Sequence, residues 1–110
     1  MAHRIEKINS LIKEQLAEIL LSRIDRDHFK LLTITRVVTS RDLSNTKVFV
    51  SLHGQKFSSF LIWTKEHIYH IQGELNHRLS LHHVPRIQFI EDTTGAYVDH
   101  MEQLFRSISK

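Results

Sequence analysis

The chain has 110 residues, of which 41% are hydrophobic and 25% are charged, with 3 Gly and 1 Pro. These proportions indicate a single folded domain over residues 1–110 and exclude collagen-like, low-complexity and wholly disordered classes. The absence of cysteine excludes disulfides, thiolate metal sites and cysteine nucleophiles, and a net charge of +3 predicts little about partners by itself.

The amino-terminal segment predicts a helix over about residues 3 to 23. Apolar residues recur every three or four positions from Ile5 to Leu20, a spacing that places them on one side of a helix. No apolar run approaches the roughly 20 residues that span a bilayer, and the first residues lack the apolar region of a secretory signal. We therefore expect a cytoplasmic protein without a membrane partner.

Two antiparallel strands are predicted over Leu31–Ser40 and Thr46–His53, because both runs are rich in β-branched residues and a polar stretch separates them. In the second run, Val48 and Val50 belong to an alternating pattern that is typical of a sheet buried on one face. We expect helices to cover the Val48 face. The alternation is weaker in the first run, so we expect that strand to bulge or to end early.

The longest apolar stripe runs from Phe57 to Leu79 and predicts two helices with a bend between them. A straight helix of about 25 residues would span roughly 37 Å, which is long for a compact domain of this size. Gly73 is the residue most able to permit a bend.

After the helix pair, Val84-Pro85 predicts an extended start and Ile87–Ile90 a third strand. The apolar spacing from Tyr97 to Ile108 predicts a last helix. The predicted order is α-β-β-α-α-β-α, an α+β fold with a three-stranded sheet packed against helices.

Positive charge is concentrated in the middle of the chain. Residues 28–90 carry 8 basic and 3 acidic side chains and 7 of the 9 histidines. A cluster within 22 residues contains Lys65, His67, His70, His77, Arg78, His82, His83 and Arg86. A one-sided positive field favours phosphate, although such an imbalance also arises by chance in soluble domains.

Three aromatic residues, Phe49, Trp63 and Tyr69, could stack on a base. An aromatic at helical spacing is more often part of the core, however, and we expect Trp63 to be at least half-buried. The basic cluster is therefore the stronger indication of RNA binding.

The patterns of common active sites are absent. His67 and His70 are three positions apart, but zinc needs three or four convergent ligands and the His-Glu-x-x-His spacing does not occur. Neither a Gly-x-Ser-x-Gly turn nor a phosphate-binding glycine loop is present. We expect no catalytic residue, no metal and no cofactor, and a hydrolase with a histidine-bound metal ranks last among the possible functions.

The predicted order, with its extended strand after Val84-Pro85, resembles a type II KH domain, and several local motifs resemble the bacterial ribosome-binding factor A family. The segment from Leu32 to Ser51 is similar to the hairpin motif T-x-V-x-x-S-x-D-L-x-x-A-x-V-x-V-S of that family. The first helix, and the segment from Val84 through the last helix, also fall in family order. The resemblance therefore covers nearly the whole chain.

The chain departs from the family pattern at two points. Members bend between the two central helices at an Ala-x-Gly element, where this chain has His67-Ile68-Tyr69. This difference leaves three alternatives, namely a milder bend, a bend shifted toward Gly73, or no bend. The usual Pro-Glu-Leu is Pro85-Arg86-Ile87 here, which exchanges an acid for a base near the expected RNA surface.

The resemblance implies a non-catalytic factor that binds the small (30S) ribosomal subunit, assists late maturation of 16S rRNA and supports growth in the cold. We expect a monomer whose central helices and hairpin turn present positive charge to structured rRNA. The expected RNA-binding residues are Arg41, Lys47, Lys65, Arg78 and Arg86 as phosphate contacts, with His67, His70, His77 and His82 adding polar contacts. Five phosphate contacts predict a log–log salt slope of about −3.5 to −4.5.

The alternative is a protein-interaction module that meets ribosomal or assembly proteins without direct RNA contact. In that case an apolar patch would form the interface, and the charge would serve solubility only.

Overall fold

The computed structural model describes residues 2–24 and 32–93, and these residues form two helices and a three-stranded sheet. The elements, in chain order, are α1 Ala2–Arg23, β1 Leu32–Thr39, β2 Asn45–Leu52, α2 Phe57–Arg78 and β3 Arg86–Glu91. The predicted α+β class with a three-stranded sheet is confirmed. The predicted last helix, from Tyr97 to Ile108, lies outside the described residues.

Where two central helices were expected, the structure has one continuous helix, α2, of 22 residues. Gly73 lies within this helix, and a Cβ atom added there would meet no other atom within 4 Å. Because nothing packs closely against Gly73, nothing in its surroundings requires a bend. The segment His67-Ile68-Tyr69 is likewise helical. At 1.5 Å per residue α2 is roughly 33 Å long, somewhat shorter than the expected stripe.

The sheet has the order β1-β2-β3, with β1 antiparallel and β3 parallel to the central strand β2. The expected irregularity of β1 is a β-bulge, a shift in the pairing register between Ile34 and Arg36. Regular alternation from the buried Ile34 would turn Arg36 inward. The bulge changes the phase, so that Val37 is buried and Arg36 is exposed.

Both helices pack on one face of the sheet, and the core lies between these two layers. The helices bury their apolar stripes, represented by Leu16 in α1 and Phe60 in α2. β2 contributes Val48 and Val50, which are fully buried, as the alternation predicted. The opposite face of the sheet is not covered by any helix of the described chain, and we call it the open sheet face. Its outward positions are Thr33, Arg36, Val38, Asn45, Lys47, Phe49, Ser51, Arg86, Gln88 and Ile90.

A glutamine side chain in α2 forms two hydrogen bonds with the start of β3. Gln72 Nε2 donates to the Pro85 carbonyl oxygen at 3.1 Å, and Gln72 Oε1 accepts from the Ile87 N–H at 3.0 Å. These two bonds fix the position of β3 relative to the helix. They also bring Arg86, which lies between the two bonded residues, to the border between α2 and the sheet.

Candidate functional site

Three of the predicted phosphate contacts gather at one end of the sheet. Arg86 is the β-partner of Asn45 in β2, and its N–H donates to the Ser44 carbonyl oxygen in the hairpin turn at 3.0 Å. Lys47 points to the open sheet face, because its neighbours along β2 are buried. With Arg41 in the turn, these residues form what we call the turn-end cluster: Arg41, Lys47 and Arg86.

The hairpin turn that carries Arg41 is held by a network centred on Asp42. One oxygen of this carboxylate, Oδ1, accepts bonds from the Ser40 hydroxyl at 2.7 Å, the Ser44 hydroxyl at 2.6 Å and the Ser44 N–H at 3.1 Å. Hydrogen bonds from the Ser44 and Ser40 hydroxyls lower the pKa of Asp42 to about 2. The turn also holds Leu43 at a φ of 60°, a left-handed conformation that such a network must support.

None of the turn-end cations has a carboxylate partner among residues 2–24 and 32–93. The same holds for Lys65, which is exposed on the outer side of α2. Asp42 is next to Arg41 in sequence, but its Oδ1 accepts bonds from serines and the carboxylate forms no ion pair with the guanidinium. These four cations are therefore available to an anionic partner.

A shallow groove lies between Arg86 of the turn-end cluster and two histidines of α2, His70 and His77. It has a volume of about 790 Å³ and is lined by residues that include His70, Gly73, His77 and Arg86. Arg86 thus borders both the groove and the open sheet face. The predicted residues therefore occupy two regions, the groove and the open sheet face, which meet at Arg86. Lys65 lies outside both regions, two turns before Gly73 on α2.

The remaining histidines differ in their surroundings. The His67 ring stacks on Trp63 with ring centroids 4.3 Å apart, and its Nδ1 lies 2.8 Å from the Trp63 carbonyl oxygen. Trp63 is half-buried, as expected, and packs against the core. Because a carbonyl oxygen only accepts, this hydrogen bond requires the proton on Nδ1. His82 lies exposed in the loop that precedes β3.

Arg78 has different surroundings from the other predicted phosphate contacts. Its guanidinium donates to Glu18 at 2.8 Å, to Glu74 at 3.1 Å and to Gln15 at 3.2 Å, so it joins α2 to α1. Arg23 donates to the second oxygen of Glu74 at 2.9 Å. We call this group, Gln15, Glu18, Arg23, Glu74 and Arg78, the helix seam.

The helix seam also changes the acidity of Glu74. The hydrogen bond from Arg23, followed by the bond from Arg78, holds the pKa of Glu74 below its ordinary value. In the folded protein the charges of Arg23 and Arg78 are balanced by two carboxylates, those of Glu18 and Glu74. The predicted contact of Arg78 with phosphate would require these bonds to be broken.

The sequence patterns do not identify one cationic residue of the open sheet face, Arg36. Arg36 Cζ lies 4.1 Å from the centroid of the Phe49 ring, which is half-buried on the central strand. Ordinary alternation places residue 36 inward, and only the break in the apolar pattern around Thr35 signals that it turns outward. That break predicts a bulge, but the pattern alone does not indicate which side chain the bulge exposes.

Metal sites and membrane-spanning segments are two further classes of functional feature. Within the described ranges, no group of three His, Asp or Glu side chains is arranged to hold a metal ion. No helix in the same part of the chain is long and apolar enough to cross a membrane.

Comparison with known proteins gives a consistent result. A family model described as ribosome-binding factor A matches residues 4–105. The ribosome-binding factor A of Synechococcus sp. is 34% identical over 93 residues, which covers 81% of this chain and 68% of that protein. The protein of the same name from Ligilactobacillus salivarius is 32% identical over 108 residues, covering 96% of this chain and 91% of the relative.

Solved structures agree with the fold. The crystal structure of ribosome-binding factor A from Thermus thermophilus has a TM-score of 0.71 at 23% identity, covering 79% of this chain and 94% of that chain. Coordinates of the T. thermophilus protein fitted into a cryo-EM map of its 30S complex have a TM-score of 0.65 at 24% identity. This match covers 76% of this chain and 90% of that chain. At these identities the likeness establishes a shared fold.

Proposed function

The chain belongs to the ribosome-binding factor A family, and from this premise we propose that it binds the small ribosomal subunit through 16S rRNA and assists late maturation of that RNA. It acts by binding, without catalysing a reaction. The T. thermophilus protein that shares its fold was fitted into a map of a 30S complex, which supports the choice of partner. The cytoplasm, where ribosomal subunits are assembled, is the corresponding location.

The observation that carries the RNA contact is the state of the predicted cations. Four of the five predicted phosphate contacts, Arg41, Lys47, Lys65 and Arg86, have no carboxylate partner in the described part of the chain. Three of them are gathered in the turn-end cluster, where a polyanion can meet them together. Contact between such cations and phosphates releases the counterions condensed on the RNA, which is a large source of affinity for RNA.

The histidines extend the same surface. His70 and His77 line the groove that begins at Arg86, where their ring nitrogens can form hydrogen bonds with a phosphate or a base. His67 lies one turn before His70 on α2, and His82 lies in the loop before β3. We propose these four residues as secondary contacts and the turn-end cluster as the primary one.

The salt dependence of binding tests the proposal. Four phosphate contacts predict a log–log slope of about −3 for binding to a 16S rRNA fragment or to small subunits, because each contact contributes about 0.7 to 0.9. Arg78 is left out of this count, since its charge is balanced in the helix seam. Sedimentation of the chain with small subunits over a range of salt concentrations gives the slope. A slope near zero contradicts direct RNA contact.

A second candidate, contact with a ribosomal or assembly protein, is favoured by two exposed apolar side chains. Ile62 is 62% exposed and Tyr69 is 84% exposed, and they lie seven residues apart on one side of α2. Comparison of naked 16S rRNA with the protein-containing particle separates the candidates. Binding to the particle alone, unaffected by Lys47→Gln with Arg86→Gln, favours the protein partner.

A further inference from the structure

We propose that the open sheet face binds an unpaired stretch of RNA, with the stacked Arg36–Phe49 pair receiving a base and Lys47 and Arg86 contacting the flanking phosphates. This inference rests on the proposed RNA binding and deepens it, because it names the surface and the form of RNA that the surface fits.

The pair is built by the bulge in β1. The register shift places Arg36 opposite Phe49 on the central strand, with its guanidinium over the ring at 4.1 Å. Thr35, the bulged residue, donates its hydroxyl to Asp92 and lies 3.3 Å from the Phe49 carbonyl oxygen, which holds the bulge in place. A guanidinium plane backed by an aromatic ring is a surface on which nucleobases stack.

The charges around this pair are complementary to a phosphate backbone. On β2, Lys47 is two positions from Phe49, and Arg86 begins the neighbouring strand. The outward strand positions carry three cations and no carboxylate in the part of the chain that the structure describes.

Two carboxylates stand at the border of the face. Glu91 is the β-partner of Val50, which is buried, so it lies toward the helical side of the sheet. Asp92 stands beyond the end of β3, where it accepts the Thr35 hydroxyl. Neither lies between Arg36, Lys47 and Arg86, so the three cations act on an approaching strand together.

The geometry favours unpaired RNA over a duplex. In an A-form duplex the bases are stacked on each other and only phosphates and 2′-hydroxyls are offered to a flat surface, so the aromatic pair would have no role. Three strands are roughly 10 Å across, which accommodates about two or three nucleotides of a splayed strand. Exposed Val38 is two positions from Arg36 on β1, and half-buried Ile90 is the β-partner of Phe49. Both provide apolar contact for the base edges.

The test uses the full chain and a fluorescein-labelled oligouridylate of about 12 nucleotides, with affinity read from fluorescence anisotropy. We expect Phe49→Leu, which keeps the apolar volume and removes the ring, to weaken binding about five- to tenfold. Arg36→Lys keeps the charge but removes the planar guanidinium group, and we expect it to weaken binding about threefold. Lys13→Gln, which neutralises an exposed cation on α1, is the matched control and should change the affinity less than about twofold.

Binding of the same variants to small subunits separates the two proposals. If Phe49→Leu and Arg36→Lys bind the oligouridylate like the unaltered chain while subunit binding persists, the sheet-face inference is overturned and the proposed function stands. If oligouridylate binding depends on Phe49 but the unaltered chain does not bind subunits, the proposed function fails and the inference stands.

Two further results overturn the inference. One is equal affinity for the oligouridylate and for an RNA duplex of the same length, with no effect of Phe49→Leu on either. The other is that the Phe49→Leu variant has a different mass in sedimentation but the same affinity for RNA. This result would mean that a second copy of the chain occupies the open sheet face. Circular dichroism checks that Phe49→Leu folds, and Arg36→Lys, at an exposed position, provides the answer if it does not.

Discussion

Two groups of cations on this protein lie in opposite electrostatic surroundings. At the helix seam, Arg23 and Arg78 each lie within 3.1 Å of a carboxylate oxygen and join α1 to α2. In the turn-end cluster, Arg41, Lys47 and Arg86 have no ion pair within the described ranges. Both groups consist of basic residues, but the first is paired with carboxylates of the protein itself and the second is open to a partner.

The difference shows why a count of basic residues is a poor guide to a binding surface. Arg78 and Arg86 are eight positions apart and belong to the same basic cluster in the sequence. One of them stabilises the packing of two helices, and the other borders a groove and the open sheet face. Their roles follow from which acids the fold brings near them, so the comparison can be tested by removing the cations of each group.

The largest effect is expected in the turn-end cluster. Lys47→Gln together with Arg86→Gln should weaken binding to 16S rRNA about 30-fold at physiological salt, because two phosphate contacts and their released counterions are lost. The unfolding midpoint should stay close to that of the unaltered chain, since both side chains are exposed. Lys7→Gln with Lys13→Gln on α1 is the matched control. An equal loss of affinity in the control would mean that only net charge matters.

The next effect should appear at the helix seam and in stability. Arg78→Gln removes three hydrogen bonds that cross between or along the helices, and we expect the unfolding midpoint to fall by about 3 to 5 °C. Affinity for rRNA should change less than about twofold, because the lost charge was already balanced. Thermal denaturation and anisotropy on the same samples measure both. A large loss of affinity for rRNA with an unchanged unfolding midpoint would indicate that Arg78 belongs to the binding surface.

The smallest effect is a pH dependence at Glu74. Arg23 and Arg78 hold the pKa of Glu74 below its ordinary value of 4.5, so its contribution to stability is present above that value and is lost as the pH falls below it. Glu74→Gln should therefore have a lower unfolding midpoint than the unaltered chain at about pH 7, and the difference should shrink as the pH falls below 4.5. Denaturation curves at several pH values measure it, and a difference that is independent of pH would contradict the ion pair.

Much of the fold could be predicted because it depends on local patterns. The spacing of three and four residues in α1, the alternation around Val48 and the extended start at Val84-Pro85 each reflect the period of one element. The continuity of α2 could not be predicted in the same way. A glycine permits a bend but does not require one, and whether α2 bends at Gly73 depends on what packs against that residue.

The site was less predictable, because it depends on contacts between distant residues. Arg78 and Glu18 are 60 positions apart, and no local pattern indicates that they meet. The stacking of Arg36 on Phe49 depends on one extra residue in β1, which changes every side chain that follows. The irregular alternation is visible in the sequence, but only the pairing register shows which residue it turns outward.

The amide of Gln72 has a consequence for solubility. The outer edge of β3 would otherwise present main-chain groups on which a strand from another molecule could assemble, the first step toward aggregation. By bonding the Pro85 carbonyl oxygen and the Ile87 N–H, the side chain stands where the first residues of such an intruding strand would have to pair. A single helical residue therefore helps to keep the start of β3 from pairing with a strand of another molecule.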